Sequence, residues 1–184
     1  TAITLASHDA EFGERLASAL SQPSFRAYPS HDVIGAEIGG AVKNILAIAC
    51  GIVQGKGLGD SARAALTARG FAEMTRLGDA LGAKRETLAG LSGLGDLILT
   101  CSSTTSRNFS LGVALGEGQK IDDILGARNS VSEGALSAQA VKALAKQHNL
   151  DMPISLAIAE IIDGTLNVDE AIVQLLARPV TGEG

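Results

Sequence analysis

The sequence predicts a mainly α-helical protein in which a short β-α-β segment precedes an all-α domain. Strand-like runs occur only within the first thirty residues, and apolar residues recur at helical spacing through most of the remaining chain. The 184 residues are 46% hydrophobic and 19% charged, a composition that excludes disorder for most of the chain. With no Trp and only 3% aromatic residues, the core is expected to consist of Ala, Leu, Ile and Val.

The first thirty residues are predicted to fold as strand, helix and strand. Ala2–Ala6 and Ser24–Tyr28 are typical of short strands, and Asp9–Leu20 between them is typical of an amphipathic helix. Such a fragment is too small to form a stable parallel sheet alone. We therefore interpret residues 1–30 as the end of an α/β domain whose beginning is absent, and residues 31–184 as a separate helical domain.

An apolar stretch at residues 33–53 opens the helical domain and is long enough to span a bilayer. Glu37, Lys43 and Asn44 lie inside it, and a central charge costs about 2.5–3.5 kcal/mol on membrane-insertion scales. The sequence therefore predicts a buried helix of a soluble protein and no membrane span.

A second long helix is predicted over residues 60–81, where Asp60 can cap its start and Gly82 ends it. One face of this helix carries Leu66, Gly70, Met74, Leu77 and Leu81. Further helices are predicted at residues 84–91, 96–101, 106–115 and 132–148, then from Pro153, and from the capping-box-like Asn167–Glu170 to Pro179.

Charge and cysteine content limit the classes of function. The net charge is −5 and there is no Lys/Arg cluster, so a nucleic-acid or anionic-membrane surface is not expected. Cys50 and Cys101 lie in apolar runs without metal-ligand spacing, which predicts two buried free thiols in a reducing, cytoplasmic compartment. The three histidines are scattered, and no metal site is expected.

Lys43 is the most informative residue because it lies within the apolar helix with no acidic residue three or four positions away. A desolvated ammonium can exchange a proton with a substrate, and its carboxylate partner would come from elsewhere in the fold. The alternative is a lysine that extends to the surface along its alkyl stem.

Asp96 follows a tight Ser-Gly-Leu-Gly turn and has two interpretations. It can cap the next helix, or it can be the carboxylate that pairs with Lys43. Thr100 falls one turn later on the same helix face.

Ser106, Arg107 and Asn108 form a polar cluster at a predicted helix start. Backbone N–H groups at a helix N-terminus and an Arg fork together make an anion site, for which phosphate or pyrophosphate would be the ligand. The alternative is a capped helix with a solvent-facing Arg.

Residues Gly57–Ala62 imitate the dinucleotide fingerprint G-x-G-x-x-A. That fingerprint needs a preceding strand, and here a long helix precedes it, so we reject it as a nucleotide site.

Taken together, these motifs resemble the bacterial type of NAD(P)-dependent glycerol-3-phosphate dehydrogenase. The matching segments follow in order along most of the chain: Ile34–Ile48, Gly57–Leu66, Ser92–Cys101, Ser106–Asn108, Val131–Gly134 and Leu175–Pro179.

The resemblance implies reversible interconversion of dihydroxyacetone phosphate and sn-glycerol 3-phosphate with NAD or NADP, for glycerophospholipid synthesis. It implies a helical substrate domain like the C-terminal domain of 6-phosphogluconate dehydrogenase. Lys43 matches the family's catalytic lysine. The other matching positions are Asn44, Asp96, Thr100, Ser106, Arg107 and Asn108 for substrate, and Arg107, Val131 and Glu133 for the cofactor.

The family carries a glycine-rich Rossmann domain ahead of these residues. The resemblance therefore implies that this chain needs that domain as a partner for cofactor binding and turnover, and a homodimer is one assembly compatible with it. Two alternatives stay open: a related hydroxyacid or sugar-phosphate dehydrogenase domain, and a non-catalytic helical dimerisation module.

Overall fold

The structure is a computed structural model that describes residues 1–126 and 133–179. It confirms the predicted fold class, a mainly helical chain with a small sheet at its start. In order, the elements are β1 (Ala2–Ala6), α1 (Ala10–Leu20), β2 (Arg26–Ser30), α2 (Val33–Gly55), α3 (Asp60–Leu81), α4 (Arg85–Ala89), a π-helical turn (Leu91–Gly95), α5 (Asp96–Ser102), α6 (Arg107–Gly116), α7 (Ile121–Gly126), α8 (Glu133–Gln147), α9 (Pro153–Ile162) and α10 (Val168–Leu176).

The two strands pair in parallel, with Ala2 opposite Arg26 and Ala6 opposite Ser30. The second strand therefore begins and ends two residues later than the predicted Ser24–Tyr28. Pro29 was expected to end it, but lies within it opposite Leu5. In a two-stranded sheet each strand has a free edge, where the missing N–H of a proline removes no ladder bond.

Several apolar side chains of the β-α-β segment remain exposed. Helix α1 has the predicted end at Leu20, and Asp9 is its N-cap, whose carboxylate accepts a hydrogen bond from the N–H of Phe12 at 2.9 Å. The exposed apolar residues of this segment are Ile3, Phe12, Leu20 and Tyr28. The segment thus buries only part of its apolar surface against the rest of the described chain.

Helix α2 is the centre of the helical domain. Thirteen of its residues are buried, and it packs against α3, α5, α6 and α8. It is the only helix among the described residues that is long and apolar enough to cross a membrane, and 56% of its most apolar stretch is buried. A core helix buries its apolar residues in this way, so packing inside the protein accounts for the apolar pattern of α2.

Glycines on α2 and α6 let these two helices approach at backbone distance. A Cβ at Gly51 would overlap the Phe109 carbonyl, and one at Gly112 would overlap the Ile48 carbonyl. Gly55 and Gly116 repeat the pairing one turn further along. The position of α6 on α2 is therefore fixed by main-chain contact.

Helix α3 has the predicted span and apolar face: Gly70, Met74 and Leu77 are buried. Its N-cap is Gly59, and Asp60 is instead the first helical residue, where its charge suits the helix dipole. Gly82 ends the helix in the left-handed conformation with φ of 82°, as predicted.

Later helices follow the predictions with small changes. Pro153 stands in the first turn of α9, and Asn167 and Glu170 form a reciprocal capping box at the start of α10. Helix α7 was not predicted. The predicted start of α8 at Ser132 lies outside the described residues, and Glu133 is the first described residue of that helix.

Candidate active site

Lys43 and Asp96 form an ion pair between α2 and α5. Their side chains are 23% and 33% exposed, so the pair sits at the edge of the core with access to solvent. Asp96 is the first residue of α5, and the helix has no side-chain cap bond. The interpretation of Asp96 as an N-cap is therefore wrong, and its interpretation as the partner of Lys43 is confirmed.

The π-helical turn Leu91–Gly95 determines where Asp96 lies. Its wider backbone bond runs from the N–H of Gly95 to the carbonyl of Gly90 at 3.0 Å. Gly39 of α2 touches the Ser92 carbonyl so closely that a Cβ would overlap it, and Gly93 meets the Leu88 carbonyl in the same way. The first contact holds the turn against α2 and the second holds it against α4, and together they fix the position of Asp96 relative to Lys43.

Thr100 lies beside the carboxylate of the pair. Its hydroxyl donates to the Asp96 carbonyl at 2.6 Å and lies 3.4 Å from Asp96 Oδ1, on the oxygen that does not face Lys43. The predicted grouping of Lys43, Asp96 and Thr100 is thus present in the structure.

The polar cluster at residues 106–108 forms the N-terminus of α6, as predicted. Ser106 is the N-cap, and its hydroxyl accepts a hydrogen bond from the N–H of Phe109 at 3.3 Å. Arg107 donates to Glu133 at 3.2 Å, and both side chains are about two-thirds exposed. Asn108 is buried and accepts from the N–H of Gly134 at 3.2 Å.

The start of α8 therefore docks onto the start of α6. A Cβ at Gly134 would lie 2.7 Å from both Asn108 Oδ1 and Ile48 Cδ1, so a side chain here would displace the ends of these two side chains. Sequence reasoning missed the role of Gly134. The available signal was a glycine in a helix, where alanine is the better helix former.

Ile48 of α2 lies at this junction, because its side chain is next to Gly134 of α8 and its carbonyl is next to Gly112 of α6. Asn44 lies one turn before Ile48 on the same face of α2 and is half-buried. The structure thus forms two groups of predicted residues that both lie against α2. Lys43, Asp96 and Thr100 meet at the start of α5, and Arg107, Asn108 and Glu133 meet beside the N-cap Ser106 at the start of α6. Val131 lies outside the described residues.

Asp32 anchors the start of α2. Its carboxylate accepts hydrogen bonds from the N–H of Gly35 at 2.9 Å and from the N–H of Lys84 at 2.8 Å. Burial opposes the charge of this carboxylate, but the two N–H donors, a hydrogen bond with Thr87 and the charge of Lys84 together outweigh it and lower the pKa of Asp32. Sequence reasoning did not single out Asp32, whose second partner lies 52 residues away.

A cavity of about 640 Å³ lies between α3 and α5, and it is separate from this site. From α5 it is lined by Ile98, Cys101 and Ser102, whereas Asp96 and Thr100 belong to another face of that helix. Cys50 and Cys101 are buried free thiols, as predicted. A hydrogen bond with Cys50 and burial together raise the pKa of the Cys101 thiol.

The Gly57–Ala62 segment joins α2 to α3, and its glycines at 57 and 59 have φ of 67° and 88°. A helix precedes it, as predicted, where the dinucleotide fingerprint needs a strand. Across residues 1–126 and 133–179, no three His, Cys, Asp or Glu side chains are grouped as metal ligands would be. His8 and His31 are exposed, and His148 is half-buried.

A family model described as NAD-dependent glycerol-3-phosphate dehydrogenase C-terminus matches residues 32–173. Among similar curated proteins, the glycerol-3-phosphate dehydrogenase (NAD(P)+) of Parvibaculum lavamentivorans is 62% identical over 183 residues. That of Rhodospirillum rubrum is 60% identical over 184 residues. Both alignments cover 100% of this chain, and the chain spans only 55% and 53% of the lengths of these relatives.

Solved structures are also similar to this chain over nearly its whole length. The crystal structure of glycerol-3-phosphate dehydrogenase from Coxiella burnetii superimposes with a TM-score of 0.92 at 45% identity, covering 97% of this chain and 55% of that one. The yeast enzyme matches with a TM-score of 0.79 at 24% identity, covering 95% of this chain and 54% of that one, and this likeness establishes the fold alone.

Proposed function

The chain belongs to the NAD-dependent glycerol-3-phosphate dehydrogenase family, and on this premise we propose that it carries the substrate-binding and catalytic part of an oxidoreductase. The reaction would interconvert dihydroxyacetone phosphate and sn-glycerol 3-phosphate with NAD(H) or NADP(H), in the cytoplasm, and supply glycerophospholipid synthesis. The observation that carries the proposal is the partly exposed Lys43–Asp96 ion pair between α2 and α5.

In this proposal Lys43 is the general acid and base. Its ammonium group donates a proton to the ketone oxygen during reduction and the amine accepts one from the alcohol during oxidation. Asp96 keeps the ammonium in place, and Thr100 orients Asp96 through the bonds described above. The nicotinamide cofactor would supply or accept the hydride at the neighbouring carbon.

The phosphate end of the substrate would bind toward the start of α6. Ser106, Arg107 and Asn108 lie there, where backbone N–H groups and a guanidinium favour an anion. Asn44 would contact the substrate between this end and Lys43.

The described residues include side chains that could contact a dinucleotide cofactor, but no loop that would hold its pyrophosphate. Arg107 and Glu133 are exposed enough to contact a cofactor, and Val131 belongs to the same proposed contact. Within the described residues, however, no glycine-rich loop follows a strand and opens a helix, which is the arrangement that holds a pyrophosphate. We therefore propose that cofactor binding also needs a nucleotide-binding domain.

We further propose that residues 1–30 belong to that nucleotide-binding domain and that residues 31–184 form the substrate domain. The exposed Phe12 of α1 and Tyr28 of β2 support this division, because the rest of an α/β domain would cover them. Assembly as a homodimer stays a prediction that sedimentation of the whole protein would test.

The test is NADH oxidation by the protein as its gene encodes it, with dihydroxyacetone phosphate as substrate, alongside the 184-residue chain. We expect activity only where the nucleotide-binding domain is present, and a loss of about 10²–10⁴-fold in kcat for Lys43→Met. Lys56→Met is the matched control, since Lys56 ends the same helix and pairs with the exposed Asp169 instead. Preference for 3-hydroxyisobutyrate or 6-phosphogluconate would contradict the proposal, and so would full activity in Lys43→Met.

A further inference from the structure

Gly40 is a glycine in the middle of α2 that the described chain does not need for packing. The other glycines within this helix each have a steric reason, because a Cβ at Gly35, Gly39, Gly51 or Gly55 would overlap a neighbouring atom. A Cβ at Gly40 meets nothing within 4 Å among the described residues. The backbone at Gly40 is right-handed helix with a negative φ, which any residue can adopt, so the conformation does not need glycine either.

Alanine would make a more stable helix at this position. Packing and backbone conformation among the described residues therefore do not account for the absent side chain.

The place of Gly40 on α2 relates this open space to the proposed site. Helical side chains lean toward the N-terminus of their helix, so residues three and four positions later cover the surface above a given residue. For Gly40 these residues are Lys43 and Asn44. Even so, neither side chain comes within 4 Å of a Cβ at Gly40. The space beneath the proposed proton donor is open.

We propose that Gly40 is a specificity-determining residue whose missing side chain leaves room for the carbon skeleton of the substrate beside the Lys43 ammonium. This inference rests on the function proposed above. A three-carbon phosphorylated ketone has its carbonyl close to both chain ends, so its skeleton must lie against the helix for the oxygen to reach Lys43. A side chain at residue 40 would lift the substrate away from the proton donor.

The test compares Gly40→Ala and Gly40→Leu with wild type in the whole protein. We expect Gly40→Ala to raise the melting temperature of the ligand-free protein by about 2 °C, as a better helix former does. We expect it to lower kcat/KM for dihydroxyacetone phosphate about 10-fold, and Gly40→Leu to lower it more than 100-fold. The thermal shift produced by glycerol 3-phosphate should fall in the same order.

Two controls separate the explanations. Gly39→Ala should lower the melting temperature, because its Cβ would strike the Ser92 carbonyl, although it lies next to Gly40 in the same helix. Ala80→Leu, on the exposed end of α3, should change neither activity nor ligand binding.

NADH affinity distinguishes the occupant. If the space receives the substrate skeleton, Gly40→Leu leaves NADH binding by calorimetry unchanged while glycerol 3-phosphate binding is lost. Loss of NADH binding would overturn the inference in favour of the cofactor, and unchanged kcat/KM in Gly40→Leu would overturn it outright. Failure of the proposed function is distinguishable because wild type itself would then not reduce dihydroxyacetone phosphate, and the inference would fall with it.

Discussion

Glu73 offers the sharpest stability prediction, because its carboxylate closes the N-terminus of α9 from inside the core. Glu73 is 1% exposed and accepts three hydrogen bonds: from the N–H of Ile154 at 2.6 Å, from the N–H of Ser155 at 2.9 Å and from the Ser155 hydroxyl at 2.7 Å. Pro153 has no N–H, so the carboxylate serves the first two donors of the helix. Glu73→Ala would leave all three donors without this acceptor.

The expected loss in the free energy of unfolding follows from the number of donors left without an acceptor. A buried donor without an acceptor costs about 1–3 kcal/mol, and removing the side chain also leaves a small cavity. We expect Glu73→Ala to lower the free energy of unfolding by about 4 kcal/mol after partial relaxation around the site. Glu73→Gln keeps the volume and one acceptor oxygen but places an amide donor against another donor, so about 2 kcal/mol is expected.

The charge of Glu73 adds a pH dependence with a definite sign. Burial raises the pKa of Glu73 above its ordinary 4.5, and this outweighs the hydrogen bonds that favour the charged form. The folded state then holds the proton more tightly than the unfolded state. The contribution of this group to stability is therefore complete below pH 4.5 and is lost as the pH rises through the raised pKa.

Urea denaturation of wild type, Glu73→Ala and Glu73→Gln over this pH range measures both effects. The decline with rising pH should be present in wild type and absent from both variants. Glu86→Ala, an exposed acidic residue on α4, is the matched control and should change the free energy of unfolding by no more than about 0.5 kcal/mol. A loss below about 1 kcal/mol for Glu73→Ala would refute the reasoning.

The fold supports three further predictions. Gly112→Ala, which drives a Cβ into the Ile48 carbonyl, should lower the free energy of unfolding by about 3 kcal/mol or more in urea, and a neutral result would contradict the close α2–α6 contact. Asp32 has a lowered pKa, so its stabilisation is complete above pH 3.8 and lost as the pH falls through the folded-state value; acid titration of Asp32→Asn should show a shallower decline than wild type. Cys50 and Cys101 should react with a maleimide only after unfolding, as mass spectrometry would detect, whereas rapid labelling of the native protein would contradict their burial.

How far the sequence predicts this structure depends on whether the information is local. The helices from residue 60 to 81 and from Pro153 could be predicted because caps, glycines and apolar spacing lie within each segment. The end of β2 at Ser30 was missed because strand pairing with β1 extends the strand through Pro29. The acceptors at Asp32 and Glu73 were missed for the same reason: their partners lie 52 and more than 80 residues away in the chain.

Asp96 shows how a long-range contact decides between two local interpretations. A carboxylate after a glycine-rich turn has the local pattern of an N-cap, and nothing nearby in the sequence argues otherwise. The π-helical turn before Asp96 changes the direction in which the following side chains leave the helix axis. Contact of Gly39 with the Ser92 carbonyl also holds that turn against α2. Asp96 therefore reaches Lys43 instead of its own helix terminus.

The two adjacent glycines of α2 then have separate roles that a sequence pattern alone does not distinguish. Gly39 faces the π-helical turn and sets the position of Asp96, whereas Gly40 faces open space beneath Lys43. One glycine brings the carboxylate to the lysine by close backbone contact, and the other keeps the same lysine reachable. A substitution at Gly39 should thus disturb the ion pair and stability together, while one at Gly40 should leave the ion pair intact and affect what binds beside it.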